Sequence, residues 1–461
     1  MNDTPEIYEA HHDLSACNTA FLDFVKKNPT CLERAHFNKI LLDKRFPYFK
    51  SQPWPIFVSS KRKKEMSDIA IKISDLIKTI IPRLFSYDVQ KISSYFEIAP
   101  DVTKRLLFGA TDDHIKNLLG RGDFIITPAK EFKCLEFNMQ ANLGGWQLDI
   151  LEPMYAEIPV IAKFLKEYNP IIHKSQFFAL LFDHVLDVFL KNNPRAGHPG
   201  SGIDEINMAI GYPDPFLEFP TDIVGPIQKN YVDVLKQKNP SLKGDIFITA
   251  LSSMKLMQNY LMLKNRKINI LVEMINGPTP FLFMQVVKDG RLAMYNGPIT
   301  RLMSNKFNLS FLSENQDSDI FTPEEQALIK KYIPWTRKIV NTDIPFLLSN
   351  QKTLVLKSAE GLGGEEVFLG CTTSTWEWEQ QIKKAMADKR WIVQEYIESA
   401  CYLFQNGASD CLPHHVIWGI FVFGATPAGG FIRMMPEQEM HGAINTHTGA
   451  ERTIIIEVEE P

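Results

Sequence analysis

The 461 residues carry 50 lysines and arginines against 54 aspartates and glutamates, a formal net charge of −4, with 45% hydrophobic and 23% charged side chains. These proportions are ordinary for a globular chain and leave room for two or three domains. The absence of a sustained basic block argues against duplex nucleic acid or an anionic membrane surface as a partner.

The segment Met1–Glu6 lacks the basic-then-apolar order of a secretion signal. Six cysteines, at 17, 31, 134, 371, 401 and 411, show neither CxxC pairing nor the density of a disulfide scaffold, so a reducing, cytoplasmic setting is expected. Lys61–Lys64, the densest basic run, reads as the solvated start of a helix. From about 60 to 120, apolar positions such as Ile69, Ile73, Leu76, Ile77 and Ile80 recur at near-helical spacing. The period then changes to two, and Phe124–Ile126 with Lys133–Asn138 predict a hairpin joined through Pro128–Glu131. Gln176–Leu190 has the apolar density of a buried helix ended at Asn192-Asn-Pro194, and no stretch nears the roughly 20 apolar residues of a bilayer span. Arg195–Gly202 is a turn-rich loop, either a flap or a connector. Ile268–Met274 and Phe281–Val287 both read as strands bounded by Gly or Pro. Thr322 with Glu325 three residues on is a capping-box start for another helix. Leu354–Lys357, a glycine loop, an amphipathic helix over about 376–388 and the strand Trp391–Ile397 then form one compact unit.

Three segments carry chemistry. Glu136 and Asn138, two apart on a strand, project to one face while Leu135 and Phe137 project to the other, and Asp123 on the neighbouring strand can add a second carboxylate. Oxygen groups clustered in this way suit Mg2+, which takes one or two carboxylates together with substrate phosphates. Lys357 enters Glu360-Gly361-Leu-Gly363-Gly364, where missing Cβ atoms let backbone amides approach an anion. The lysine precedes the glycines, so this is not the GxxxxGK[ST] loop, and no GxGxxG fingerprint is present. An adenine can lie against the last strand, Trp391–Ile397. The pairs His11-His12 and His414-His415 can bind a metal, but no third ligand has a recognisable spacing.

In order along the chain, Arg121-Gly-Asp123-Phe, Leu135-Glu136-Phe-Asn138, Ser304-Asn-Lys306, Ile333-Pro-Trp-Thr-Arg337, the Lys357 glycine-loop segment, Trp391–Glu398, Gly429–Arg433 and Ile444-Asn445 resemble the circularly permuted ATP-grasp proteins. The resemblance implies an α+β protein with the ATP-grasp fold in circularly permuted order and an additional α/β pre-ATP-grasp-like domain. The expected division is 1–150 as a helical segment with the magnesium-binding lobe, 151–325 as the pre-ATP-grasp-like domain, and 326–461 as the nucleotide-binding lobe returning to the first. The resemblance further implies that Lys306 and Lys357 hold the ATP phosphates and that Gly361, Gly363 and Gly364 cover them. Gln394, Glu395, Tyr396 and Ile397 would line the adenine, Asp123, Glu136 and Asn138 would bind Mg2+, and Arg433 would steady an acyl phosphate beside Lys357. Two departures stand out. Glu398–Tyr402 offers no evident ribose-binding acid, and Met434–His441 is unusually charged for its loop.

The implied activity is an ADP-forming carboxylate–amine ligase that makes an amide or peptide bond through an acyl phosphate. Its partners would be a small carboxylic acid and an amine such as an amino acid, peptide or polyamine, with neither nucleic acid nor membrane, and a homodimer is left open. A kinase using the same nucleotide site, and a nucleotide-binding scaffold without catalysis, are the competing classes.

Overall fold

The computed structural model describes residues 4–28, 50–141, 143–197, 203–214, 221–274, 281–361, 366–407, 410–439, 442–445 and 448–460. The chain is a mixed α/β protein with several sheets, consistent with the α+β class. Among the described residues no helix is long and apolar enough to cross a membrane.

The largest sheet has eight strands and draws on both ends of the chain. Across it run Ile56–Ser59, Glu451–Glu459, Thr426–Pro436, the long strand Asp410–Phe423, Leu119–Ile126 and Phe132–Asn138. Cys401–Asn406 also pairs with the long strand, and Ile171–His173 with Glu451–Glu459. All pairings are antiparallel except that of Ile56–Ser59 with Glu451–Glu459. The helix Ser60–Thr79, whose first turn is capped by the Ser59 hydroxyl accepting from Arg62 N at 3.2 Å, packs against this sheet through its buried stripe of Met66, Ala70, Ile73 and Ile77.

A second sheet is parallel, in the order Ala293–Tyr295, Ile270–Glu273, Met208–Tyr212, Ile246–Ala250. Here the sequence expectation needs a correction, because Phe281–Lys288 is a helix and not a strand. A short continuous apolar run carries no usable periodicity. The parallel pairing of Ile270–Glu273 with Ala293–Tyr295 decides the matter, since parallel neighbours require a crossover and a helix supplies it. The segment 198–202 of the turn-rich loop lies outside the described residues.

A third sheet is antiparallel, in the order Thr336–Lys338, Trp391–Glu395, Leu354–Ser358, Val367–Leu369. The helix Thr375–Asp388 packs against it, burying Trp378, Ile382 and Ala385 at helical spacing. Ser374 caps its first turn, and Lys389, with φ 65°, ends it in the left-handed region. An earlier helix, Pro323–Tyr332, has both halves of the capping box formed by Thr322 and Glu325. A three-stranded meander, Lys255–Met257, Tyr260–Leu263 and Arg266–Lys267, completes the sheets.

Candidate active site

The hairpin Leu119–Ile126/Phe132–Asn138 sets the first wall of the site. Asp123 pairs with Glu136 and Arg121 with Asn138, so all four side chains share one face. The next pair on the ladder is Phe124 with Cys134, which leaves Leu135 as the extra residue of a bulge. The expected strict alternation is therefore broken, and Leu135 is half-buried where the core positions Cys134 and Phe137 are fully buried.

On this face Asp123 is 2% exposed and almost enclosed by cations. Arg121 grips it in a two-pronged bond, Nε to Oδ1 at 2.8 Å and Nη2 to Oδ2 at 2.9 Å, while its Nη1 donates to Leu143 O at 2.5 Å. Arg433, from the strand Thr426–Pro436, reaches over the intervening long strand to Asp123 Oδ2 at 2.8 Å. The long strand carries Gly419 opposite Asp123, and a Cβ there would lie 3.1 Å from Arg121 Cδ. The missing side chain leaves the space in which the Arg121 stem lies. Asn138 Nδ2 donates to Glu136 Oε1 at 3.0 Å and to Asp123 Oδ2 at 3.3 Å.

The second wall comes from the antiparallel sheet of 336–395. Val355 pairs with Gln394, so Lys357, two residues on, shares the face of Gln394. Lys357 Nζ donates to Gln394 Oε1 at 2.5 Å and, across the cleft, to the carbonyl of Leu135 at 3.3 Å. Gln394 in turn donates to Thr336 Oγ1 at 3.0 Å. The contact to Leu135 uses the backbone oxygen of the bulge residue, so the irregularity in one wall meets the lysine of the other. Lys306, at the start of the helix Phe307–Glu314, donates to Gly361 O at 2.8 Å and lies 3.5 Å from Glu136 Oε2. Both lysines are 7% exposed.

Burial pushes the Lys357 ammonium down to about 8, against the pull of Glu136, with the Lys306 charge adding to the depression. Burial would also raise the Glu136 carboxyl, but Lys306 first, then hydrogen bonding from neighbours including Asn138, and the Lys357 charge outweigh it. Glu136 is held well below the usual carboxylate range. Arg452, paired with Arg433 on the next strand, is brought down to about 10 by burial and by the charges of Arg433 and Arg121. Five cations, Arg121, Lys306, Lys357, Arg433 and Arg452, thus share a region with two carboxylates, Asp123 and Glu136. Such an excess in a water-poor cleft favours an anionic ligand.

Asp123, Glu136, Asn138, Lys306, Lys357, Gly361, Gln394 and Arg433, singled out in the sequence, lie in one region. Gly363 and Gly364 fall outside the described residues. Glu395 faces away from Gln394, is exposed and accepts from Trp335 N at 3.4 Å, so its side chain does not enter the cleft. Tyr396 and Ile397 follow the end of the strand and are half-buried. Sequence reasoning gave no role to Arg121, although the Arg-x-Asp spacing places it on the face of Asp123. Gly419 and Arg452 left no local signal, and Thr336 stood within the Ile333–Arg337 motif without a role of its own.

The oxygens fit a magnesium ion. Asn138 sits between Asp123 Oδ2 and Glu136 Oε1, and rotating its amide by half a turn would present Oδ1 in place of the NH2. Glu136, as the less encumbered carboxylate, and Asn138 would then offer oxygens side by side, with Asp123 limited to the one lone pair on Oδ1 that its arginines leave.

Beside Arg121 the same sheet face becomes wholly apolar. Leu119 lies two residues from Arg121, and Phe421 and Phe423 pair with Arg121 and Leu119 on the long strand. With Phe177, Leu181, Tyr212 and Met274 they line a small apolar pocket that opens partly to solvent at the carboxyl ends of the parallel strands. Compared with protein-family models and with curated proteins, the chain matches none.

Proposed function

We propose that the protein is a carboxylate–amine ligase of the ATP-grasp type, with the parts of its nucleotide site in permuted order. ATP would phosphorylate a carboxylic acid to an acyl phosphate, releasing ADP, and an amine would then displace phosphate to give an amide. The observation that carries this reading is the convergence of two buried lysines from one wall and an arginine-bound Asp123, Glu136 and Asn138 from the other on a single cleft. Phosphoryl transfer asks for positioning and charge neutralisation more than for a covalent nucleophile.

In this reading Lys357 and Lys306 hold the phosphates, and Gln394 orients Lys357 by accepting its proton at 2.5 Å. Arg121 and Arg433 hold Asp123 and face the acyl phosphate, offering donors to oxygens that gain charge as the bond to the γ-phosphorus forms. Magnesium, held by Glu136, Asn138 and Asp123, would neutralise phosphate charge. The apolar pocket beside Arg121 suits the acyl part of the acid, so the substrate acid is one with a hydrocarbon or aromatic body and few polar groups.

The test is ADP release measured with paired panels of apolar carboxylic acids and amines, followed by product mass. Release that needs both partners, and a product equal to their summed masses less one water, supports the ligase. Release with an acid or alcohol alone and a stable phosphorylated product would assign a kinase instead, nucleotide binding without ADP release would leave a scaffold, and no nucleotide binding at all would refute the reading.

A further inference from the structure

Cys401 and His415 face each other across the ladder of Cys401–Asn406 and the long strand, and their Sγ and Nδ1 atoms are 3.6 Å apart. On its other side His415 pairs with Met435, two residues before Glu437, which opens the charged segment after the Arg433 strand. One ligand atom from each of Cys401, His415 and Glu437 lies within 4.8 Å of the other two. The His414-His415 pair shows no third ligand in the sequence because the partners come from the start of one strand, the interior of the long strand and the turn after the Arg433 strand, brought together by register.

We infer that Cys401, His415 and Glu437, none of them assigned to the nucleotide cleft, form a zinc site that fastens the end of the Arg433 strand to its neighbours. Thiolate, imidazole and carboxylate are a donor set suited to Zn2+, whose bonds of roughly 2.3 Å to sulfur and 2.0 Å to nitrogen at a tetrahedral angle set sulfur and nitrogen about 3.5 Å apart. The observed 3.6 Å matches that spacing with no movement of either strand. Glu437 is exposed and begins a short 3-10 helix, so its carboxylate can close the remaining distance by turning its own side chain. His415 Nδ1 is also 3.1 Å from Ser399 O, which accepts its proton when no metal is bound. Zinc takes the place of that proton, so the ring binds as the Nε2–H tautomer. Three protein ligands leave one position for water, as in open zinc sites. Glu437 stands four residues beyond Arg433, so the ion fixes the direction in which the chain leaves the strand towards Ile444 and Asn445.

The experiment uses metal-stripped, tag-free, full-length protein titrated with Co2+ and read by visible absorption. One equivalent should give tetrahedral cobalt bands with a thiolate-to-cobalt charge-transfer band, and Zn2+ should bleach both. Cys401→Ser should lack the charge-transfer band, whereas Cys371→Ser, altering an exposed cysteine outside the cluster, should keep it. Glu437→Gln should need at least about tenfold more Co2+, the loss typical of disturbing a ligand's surroundings. A parent protein without the charge-transfer band overturns the site, as does an equal band in folded Cys401→Ser. Should Cys401→Ser fail to fold, unchanged affinity in Glu437→Gln overturns it alone, since that surface change leaves packing untouched. Zinc binding is read without nucleotide, so its outcome is independent of the ligase reading.

Discussion

Replacing Lys357 with methionine should leave the nucleotide-free protein as stable as the parent or more stable, while removing nucleotide binding. Lys357 is buried, and burial brings its ammonium from 10.5 to about 8. A depression of that size corresponds to roughly 3 kcal/mol by which the fold disfavours the charged form at pH 7. Methionine has nearly the same shape and carries no charge, so it relieves that term. Against it stands the lost donor to Gln394 Oε1 and Leu135 O, with about 1–3 kcal/mol for a buried acceptor left unpaired. The balance lies between no change and about 2 kcal/mol of stabilisation. The pH dependence gives a second reading. The folded-state value lies below the unfolded one, so the parent carries the full penalty below pH 8 and sheds it as pH rises towards 10.5. Over that window the difference between Lys357→Met and the parent should move by roughly 3 kcal/mol in favour of the parent. Thermal melts without nucleotide, with displacement of a fluorescent ATP analogue at pH 7, measure both halves. A variant that melts well below the parent yet binds the analogue normally would refute the reasoning, because Lys357 would then be a packing residue.

His11 is pushed down to about 3 by burial, with Lys26 adding to it, and Leu403 N donates to its Nε2 at 2.8 Å. Its contribution is complete above the ordinary histidine value near 6.5 and is lost as pH falls towards 3, at about 1.4 kcal/mol per unit. Urea melts from pH 7 to 5 should show a steeper loss in the parent than in His11→Gln, and equal slopes would count against a neutral, buried His11. Gly419→Val should displace the Arg121 stem, whose Cδ would lie 3.1 Å from the new Cβ, and lower ADP release by about 100-fold, as misplacements near 1 Å do. Unaltered release would remove Arg121 from the reaction. Glu136→Gln should raise the Mg2+ concentration needed for half-maximal ADP release, whereas Leu135→Ala should cost less than the roughly 2–5 kcal/mol of a core leucine, because its bulge position is only half-buried. A large loss of stability in Leu135→Ala would mean that the strand alternates strictly after all.

What the sequence reveals here is local, and what it hides is decided by partners far along the chain. The capping box at Thr322 and Glu325, the helix Thr375–Asp388 and the hairpin around Asp123 each depend on spacings of two to four residues, so period and caps expose them. Phe281–Lys288 is helical because the strands on either side of it are parallel, which its own composition does not express. The Leu135 bulge is likewise invisible to a period-two count, since an extra residue exists only relative to the opposing strand. Gly419 and Arg452, and Arg433 to which only the family resemblance points, come to Asp123 from strands about 300 residues away in sequence, and the ladder order of the eight-stranded sheet puts them there. The same order explains the charge pattern of the cleft. The carboxylates and Arg121 sit on the hairpin, Arg433 and Arg452 on strands behind it, and the lysines on the facing elements, so that Asp123 and Glu136 each meet cations from two directions. An arrangement that places like charges on separate elements can keep five cations close only while the two carboxylates hold them, and a polyphosphate entering between the walls would take over part of that load. Loosening of Lys357 from Gln394 and of Lys306 from Glu136 is therefore the change that a bound nucleotide should produce first.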